Sequence, residues 1–313
     1  MSVFIGIDTS NYTSSVAVYN SKTKKMISNK LLLPVEENKC GLRQSDAVFH
    51  HVKQIGDVVK ETLKSIDDCV SAIGVSLTPC DDEKSYMPCF LVGKLIAEVL
   101  SAAYNVKTYY FSHQRGHIAA ALYSAGCLNL FNEPFLAFHV SGGTTDLLKV
   151  EPDEKMIIKA LQIGKSLDLK AGQAIDRVGV MLGLGFPCGC ELEKLSEKSD
   201  RIFNIKPCIK GLDCALSGIE NQAQKMKLNG ETDADIAKYC LDFIEKTIDE
   251  MCSAAVIKYP DLPIVFAGGV MSNKKINKHL SEKFKAFFAE PIYSSDNAAG
   301  IAILSSTAFE RNL

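Results

Sequence analysis

The chain has 313 residues, a length that suits about two domains of ~150 residues better than one core. Apolar residues make up 47% and charged residues 23%, a globular balance that excludes disordered and fibrous classes. Lys plus Arg number 35 against 37 Asp plus Glu, and a formal net charge of −2 excludes a protein held to nucleic acid or a membrane surface by bulk charge alone. In chain order, Val3–Asp8 and Ser15–Tyr19 are β-branched apolar runs joined by a small polar turn, the pattern of a hairpin, and Lys25–Leu33 continues it as a third strand. Ser45–Ile66 carries helical periodicity through Val48, Val52, Ile55, Val59 and Leu63. A buried strand over Val70–Leu77, a helix over Phe90–Tyr104 and a strand over Lys107–Phe111 follow. The second half begins alike: Phe135–Ser141 is apolar, a Gly-Gly turn follows, Thr145–Val150 returns and Met156–Ile163 is a third strand. This hairpin comes about 130 residues after the first, which predicts two domains on one duplicated plan, 1–132 and 133–313, with the last helix able to pack back on the first domain. Chance likeness of two apolar hairpins is the other reading. Helices are expected over Leu167–Leu182, Asp233–Lys258 and Ala298–Phe309, and a strand over Pro263–Ala267. Glu191–Asn221 is the least regular stretch and reads as a loop-rich excursion.

Eleven cysteines, an odd number at irregular spacings, show no disulfide framework. No basic segment followed by an apolar run opens the chain, and no apolar stretch reaches the roughly 18 residues of a membrane span. The expectation is a cytoplasmic protein with free thiols and no membrane contact.

Three turns at strand ends are built to meet an anion. Asp8-Thr9-Ser10 follows the first strand, Ser141-Gly142-Gly143-Thr144 its counterpart, and Gly268-Gly269 ends a buried strand before an expected helix. Glycines let backbone N–H groups approach a phosphate, and hydroxyls add donors. A single such turn is usually only a turn; three in a duplicated α/β chain suggest a phosphate-bearing ligand in the cleft between the halves. No Walker A sequence and no G-x-G-x-x-G after a strand is present. The pattern suits the actin/sugar-kinase/Hsp70 (ASKHA) architecture.

His113-Gln114-Arg115-Gly116-His117 places two imidazoles four apart, on one face of a helical turn. The pair reads either as a metal site or as two solvated histidines. Gln114 stands where H-E-x-x-H requires the Glu of a zinc protease. A metal needs further protein ligands. His139, two residues before the Gly-Gly turn, is either a third ligand or a hydrogen-bonded core histidine. Asp296 is either a ligand or a helix N-cap. His50 and His51, being adjacent, point apart on a helix.

Taken together, FIGIDTSNYTSSVAVY, SHQRGH, HVSGGTTDLL, AGQAIDRVGVMLGLGFPCG, ALSGIENQ, VFAGGVMSN and SSDNAAGIA resemble the tRNA N6-threonylcarbamoyladenosine transferase family (TsaD-like, formerly O-sialoglycoprotein endopeptidase), in the family's order from Phe4 to Ala302. The resemblance implies a two-domain actin-like α/β fold with duplicated mixed sheets flanked by helices. It implies transfer of a threonylcarbamoyl group from threonylcarbamoyl-AMP to N6 of adenosine 37 in tRNA, with one divalent metal per chain, iron or zinc, and threonylcarbamoyl-AMP or an ATP-like nucleotide as ligand. His113, His117 and Asp296 fall on the family's metal ligands, and His139 takes the place of a metal-ligating Tyr. Val140, Ser141, Gly142 and Gly143, next to His139, match the phosphate side of the nucleotide site, and Asp176, Gly189 and Asn273 match positions that hold the adenosine. No catalytic residue is assigned apart from the metal. The implied partners are tRNA, brought by helper subunits of the pathway, and a homo- or heterodimer mate.

The sequence departs from the family in four places. The S-G-G-H/N-T turn reads Ser141-Gly142-Gly143-Thr144-Thr145, and A-G-E-A-F-D reads Ala171-Gly172-Gln173-Ala174-Ile175-Asp176. The first turn, usually rich in Cys, Asp and Glu, reads Asn11-Tyr12-Thr13. In place of Gly-Pro-Gly-Leu stands the acidic loop Thr78–Cys89, whose charge opposes an RNA backbone. Its cysteines, with Cys188 and Cys190, read as metal ligands, redox groups or packing thiols. The basic runs at Lys22–Lys25 and Lys274–Lys278 read as RNA contacts or solvated faces. Two other functions therefore stand beside the first: a nucleotide-binding carbamoyl transferase-like paralogue with another acceptor, and a non-catalytic partner of an active relative.

Overall fold

In the computed structural model, residues 2–10, 12–34, 42–64, 66, 68–82, 85–293 and 297–313 are described. The first three apolar runs form β1 (Val3–Ser10), β2 (Thr13–Asn20) and β3 (Lys25–Leu32), in antiparallel succession. Helix α1 (Gln44–Leu63) leads to β4 (Val70–Thr78), and α2 (Phe90–Tyr104) carries the chain over to β5 (Lys107–Ser112), parallel to β4 as β4 is to β1. The sheet order is β3-β2-β1-β4-β5. β1 is central and almost wholly buried, the reason for its unbroken VFIGI run. The buried face of α1 is Ala47, His51, Ile55, Val58 and Thr62. It is turned by one residue from the expected apolar stripe, leaving Val52 64% exposed.

Helix α3 (His113–Ser124) follows β5, and a short 3-10 turn (Leu128–Asn132) ends the first half. The second half opens with β6 (Phe135–Val140), β7 (Thr145–Asp153) and β8 (Ile157–Lys165). Then come α4 (Ala171–Met181), α5 (Gly189–Ser196), the small hairpin β9 (Cys208–Lys210) and β10 (Asp213–Ala215), α6 (Gly218–Leu228) and the long α7 (Asp233–Lys258). The stretch read as loop-rich therefore holds two helix segments and a hairpin, none long enough to leave a clear period in the sequence. Strand β11 (Ile264–Ala267), a 3-10 turn, α8 (Lys274–Lys283), β12 (Ala286–Phe288) and α9 (Asn297–Glu310) complete the chain. The second sheet has the order β12-β11-β6-β7-β8, which repeats the first strand for strand. His139 lies opposite Asp146 in the second hairpin, the place that Asp8 and Ser15 hold in the first.

Packing divides the chain into two units. The first is Met1–Glu133 with Glu151–Ala160 and Ile292–Leu313; the second is Pro134–Val150 with Leu161–Pro291. Besides the last helix, which the expected division already let pack back on the first domain, the first unit takes in the tip of the β7–β8 hairpin. Helix α9 packs within the first unit, where Phe309 meets Phe4 of β1 edge to face at 5.5 Å. A Cβ at Gly300 would lie 1.8 Å from the Gly116 carbonyl oxygen of α3, so these two helices touch through glycine backbone.

Helix α4 begins at Ala171 rather than at Leu167 because Asp168 is engaged elsewhere. Its Oδ1 accepts from Leu169 N–H at 2.6 Å and Leu216 N–H at 2.7 Å; its Oδ2 accepts from Ser217 N–H at 3.2 Å and Ser217 Oγ at 2.5 Å. Burial pushes this carboxyl up, but the bonds from Ser217, Leu216 and Leu169 outweigh it and hold the pKa below the usual carboxylate range. No helix of the described residues is long and apolar enough to cross a membrane.

Two outcomes follow. Gly300→Ala, which in an isolated helix would stabilise by about 1 kcal/mol, is expected to destabilise by about 2–3 kcal/mol through overpacking against α3, read as a lower urea midpoint with unchanged slope. The contribution of Asp168 is present above the unfolded carboxylate pKa of about 4 and falls away as pH drops through the lower folded value. Asp168→Asn should therefore cost about 1 kcal/mol at neutral pH, a modest figure for an exposed group, and nothing in acid; equal loss at both pH values refutes it.

Candidate active site

In the first unit the histidine pair sits where β5 hands over to α3. Ser112 is extended and its hydroxyl accepts from Arg115 N–H at 3.3 Å, so His113 becomes the first residue of the helix. His117 follows one turn later on the same face, and the two rings lie 4.7 Å apart between centroids at 77°. His113 Nδ1 is 2.9 Å from Asp8 Oδ1 at the end of β1. The Asp8 side chain is only 1% exposed and that of His113 19%. Burial, and then the charge of Asp8, push the Cys89 thiol up to about 12, so this cysteine at the head of α2 is a packing thiol at neutral pH. Every cysteine among the described residues is a free thiol.

In the first hairpin turn the Thr9 hydroxyl is committed to packing. Thr9 Oγ1 donates to Cys89 O at 3.0 Å and accepts from Gly93 N–H at 3.1 Å, which fastens the head of α2. His51 has both ring nitrogens engaged, Nδ1 with Ser14 Oγ at 2.7 Å and Nε2 with Ser10 O at 2.8 Å, and burial lowers its pKa. It is a structural histidine. The acidic loop is pinned to α3: Arg115 Nε donates to Asp81 Oδ2 at 2.9 Å and Gln114 N–H to Pro79 O at 3.0 Å. Arg115, between the two histidines, thus cancels one of the loop's charges.

For a metal, the donor chemistry of the pair fits. An ionised carboxylate only accepts, so the Asp8 bond places the proton on Nδ1 of His113 and leaves the Nε2 lone pair of the neutral ring for a cation. Asp296 lies outside the described residues. Among the described residues no group of three His, Cys, Asp or Glu is placed to hold a metal.

In the second unit, His139 is buried beside Asp146, whose carboxyl is pushed up by burial. The turn after Val140 is held by Ser141. Its N–H donates to Thr144 O at 2.8 Å, its Oγ accepts from the N–H groups of Gly143 and Thr144 at 3.2 Å each, and Thr144 Oγ1 pairs with it at 2.9 Å. Thr144 thus helps close the turn. Helix α4 starts against it, with Gly172 N–H donating to Ser141 O at 3.1 Å and Thr145 Oγ1 of β7 accepting from Ala171 N–H at 2.9 Å. Gly268, at φ +97°, comes so close that a Cβ would lie 2.3 Å from Val140 O. Only glycine lets these two turns meet.

Asp176, Gly189 and Asn273, the positions expected from the resemblance to hold an adenosine, lie around α5. Asp176 Oδ1 of α4 accepts from Cys188 N–H at 2.9 Å, next to Gly189, and burial raises the pKa of Asp176. Glu193 Oε1 of α5 accepts from Lys274 N–H at 2.8 Å, next to Asn273. Asn273 Oδ1 caps α8 by accepting from Ile276 N–H at 3.0 Å. Gln173 Oε1 accepts from Lys170 N–H at 3.3 Å, a capping task that needs no charge. Sequence reading missed the Asp8–His113 and Asp81–Arg115 pairs. The available signal was an acid at the end of an otherwise apolar strand, since such a group is rarely buried without a partner.

Several solved structures share this architecture. Full-length HypF in its phosphate- and nucleotide-bound form matches with a TM-score of 0.61 at 12% identity, over 99% of this chain and 56% of that one. HypF of T. kodakarensis matches with 0.64 at 12% identity, over 99% and 48%. Component A of the (R)-2-hydroxyglutaryl-CoA dehydratase of Acidaminococcus fermentans matches with 0.57 at 13% identity, over the whole of both chains. The chain therefore spans about half the length of the HypF proteins, and at these identities the likeness establishes the fold, two mixed five-stranded sheets of ASKHA type. The family model TsaD, described as tRNA N6-adenosine threonylcarbamoyltransferase, matches residues 35–303. With most of its length matched, including α3 and both turns of the second unit, the chain belongs to the TsaD family.

Proposed function

We propose that the chain transfers the threonylcarbamoyl group of threonylcarbamoyl-AMP to N6 of adenosine 37 in tRNA, with a divalent iron or zinc held at α3. The observation that carries this reading is the His113–His117 pair at the head of α3, backed by buried Asp8, in a member of the TsaD family. His113 and His117 would hold the metal, with Asp296 as the acid that the resemblance adds. The chemistry that iron or zinc supplies when bound is polarisation of an acyl carbonyl and neutralisation of phosphate charge.

In the transfer, N6 attacks the carbamoyl carbonyl carbon, a C–N bond forms and N6 gives up a proton. The C–O bond to the phosphate breaks and AMP leaves. The side chains contribute by holding the two reactants in reach, which supplies much of the rate in such reactions. The Ser141–Gly143 turn is suited to the phosphate, because a Cβ at Gly142 or Gly143 would meet nothing within 4 Å and the backbone is open to approach. Asp176, Gly189 and Asn273 are suited to the adenosine. No covalent intermediate on the protein is needed.

Helper subunits bring the tRNA, in keeping with a net charge of −2. Support for a protein partner lies on α2, where Leu91, Leu95 and Val99, four residues apart, are 50%, 60% and 57% exposed. A second reading, a different acceptor, is favoured by the acidic loop fastened beside the histidines through Asp81 and Arg115.

The deciding assay supplies threonylcarbamoyl-AMP, unmodified tRNA and helper subunits, and measures the modified nucleoside with the metal content. Product and about one metal per chain are expected, and His117→Ala should lower product at least ~100-fold, the scale for losing an electrostatic stabiliser. Metal and nucleotide binding without product would move the reading to the other acceptor; the same metal analysis on His139→Ala tests that residue's part. Asp176→Asn keeps an acceptor for Cys188 N–H. It should leave the melting temperature unchanged while weakening nucleotide binding about 10-fold, the scale of one hydrogen bond to a charged group.

A further inference from the structure

We infer that Asp8 is the positioning residue of this site: it sets the tautomer and the aim of His113, so that Nε2 is presented to the cation. The inference rests on the metal reading above and goes beyond it, since the ligands alone do not say what orients them.

The geometry supports this at three points. First, β1 is paired with β4 up to Ile7, and Asp8 itself is paired with Ser15 of β2, so the backbone that carries Asp8 is fixed in the sheet. Second, the carboxylate is 1% exposed and its Oδ1 lies 2.9 Å from His113 Nδ1, a charge-assisted bond shielded from water. A carboxylate cannot donate, so the shared proton sits on Nδ1 and the neutral ring keeps its lone pair on Nε2. Third, the other partner is equally fixed: Ser112 caps α3, and Gly116 in its first turn abuts Gly300 of α9. A buried negative charge behind the ring also raises its basicity toward a cation at the far nitrogen. His51 shows the contrast in the same unit. Its two nitrogens are engaged by Ser14 and Ser10, and it has no lone pair to offer. In this role Asp8 acts through the histidine.

The test uses the full-length chain, with zinc as probe. In the metal-free, 15N-labelled protein, long-range proton–nitrogen correlation should show His113 protonated on Nδ1 with Nε2 bare. Asp8→Ala should move it toward the Nε2–H form. Competition against a chromophoric chelator should show zinc binding weakened about 10–100-fold in Asp8→Ala. Asp8→Asn, which keeps an acceptor oxygen and loses the charge, should fall between. His113 found protonated on Nε2 in the unaltered protein overturns the assignment. So does Asp8→Ala that binds zinc like the unaltered chain while His113→Ala does not. If His113→Ala itself binds zinc unchanged, the metal reading fails, and the role of Asp8 with it. Should Asp8→Ala not fold, the tautomer of the unaltered protein and the affinity of Asp8→Asn decide the matter.

Discussion

One hydrogen bond, between Asp8 at the end of β1 and His113 at the head of α3, organises the first unit across 105 residues of sequence. A carboxylate buried this deeply is tolerable only with a partner, and the partner it has is a residue with ligating chemistry. The requirement that these two groups meet sets the rest. Strand β4 must stand beside β1 and β5 beside β4, β5 must end where α3 can turn back, and α2 is fastened by Thr9 with Phe90 at its head packed against His113. The loop before α2 is drawn onto the same helix by Arg115 and Asp81.

The two units share a plan and differ in what the plan carries. Their sheets repeat strand for strand, and in both a buried polar residue sits at the same paired position of the hairpin: Asp8 opposite Ser15 in one, His139 opposite Asp146 in the other. Yet the turns that follow diverge. In the first, the hydroxyl of Thr9 and the carbonyl of Ser10 are engaged in packing, one against α2 and the other with His51. In the second, glycines leave the backbone open, and Ser141 ties the turn internally. The two frames are alike, and local side-chain chemistry commits one turn to packing and leaves the glycine backbone of the other open.

Hydrogen bonds to α5 and α4 do comparable work in the second unit. Asp176 holds the start of α5 through Cys188, Glu193 reaches from α5 to the residue after Asn273, and Asp168 joins the strand β8 exit to the start of α6. Two departures from the family pattern have local partners of their own: Gln173 caps α4 without charge, and Thr144 completes its turn by a hydroxyl pair with Ser141.

The hairpins, the βαβ crossover through α2, the long α7 and the histidine spacing were legible because each is a local pattern, written within one element's length. The β-branched runs determine strands, and His113 and His117 fall on one helical face for any chain that is helical there. Less was legible where neighbours decide. The buried face of α1 is turned so that His51 lies inside and Val52 outside, because Ser10 and Ser14 satisfy the imidazole. The start of α4 moved because Asp168 had distant N–H groups to bind. Above all, the partner of His113 could not be read from spacing. A buried charge has to find its counterpart through space, and only the tertiary structure brings residue 8 to residue 113.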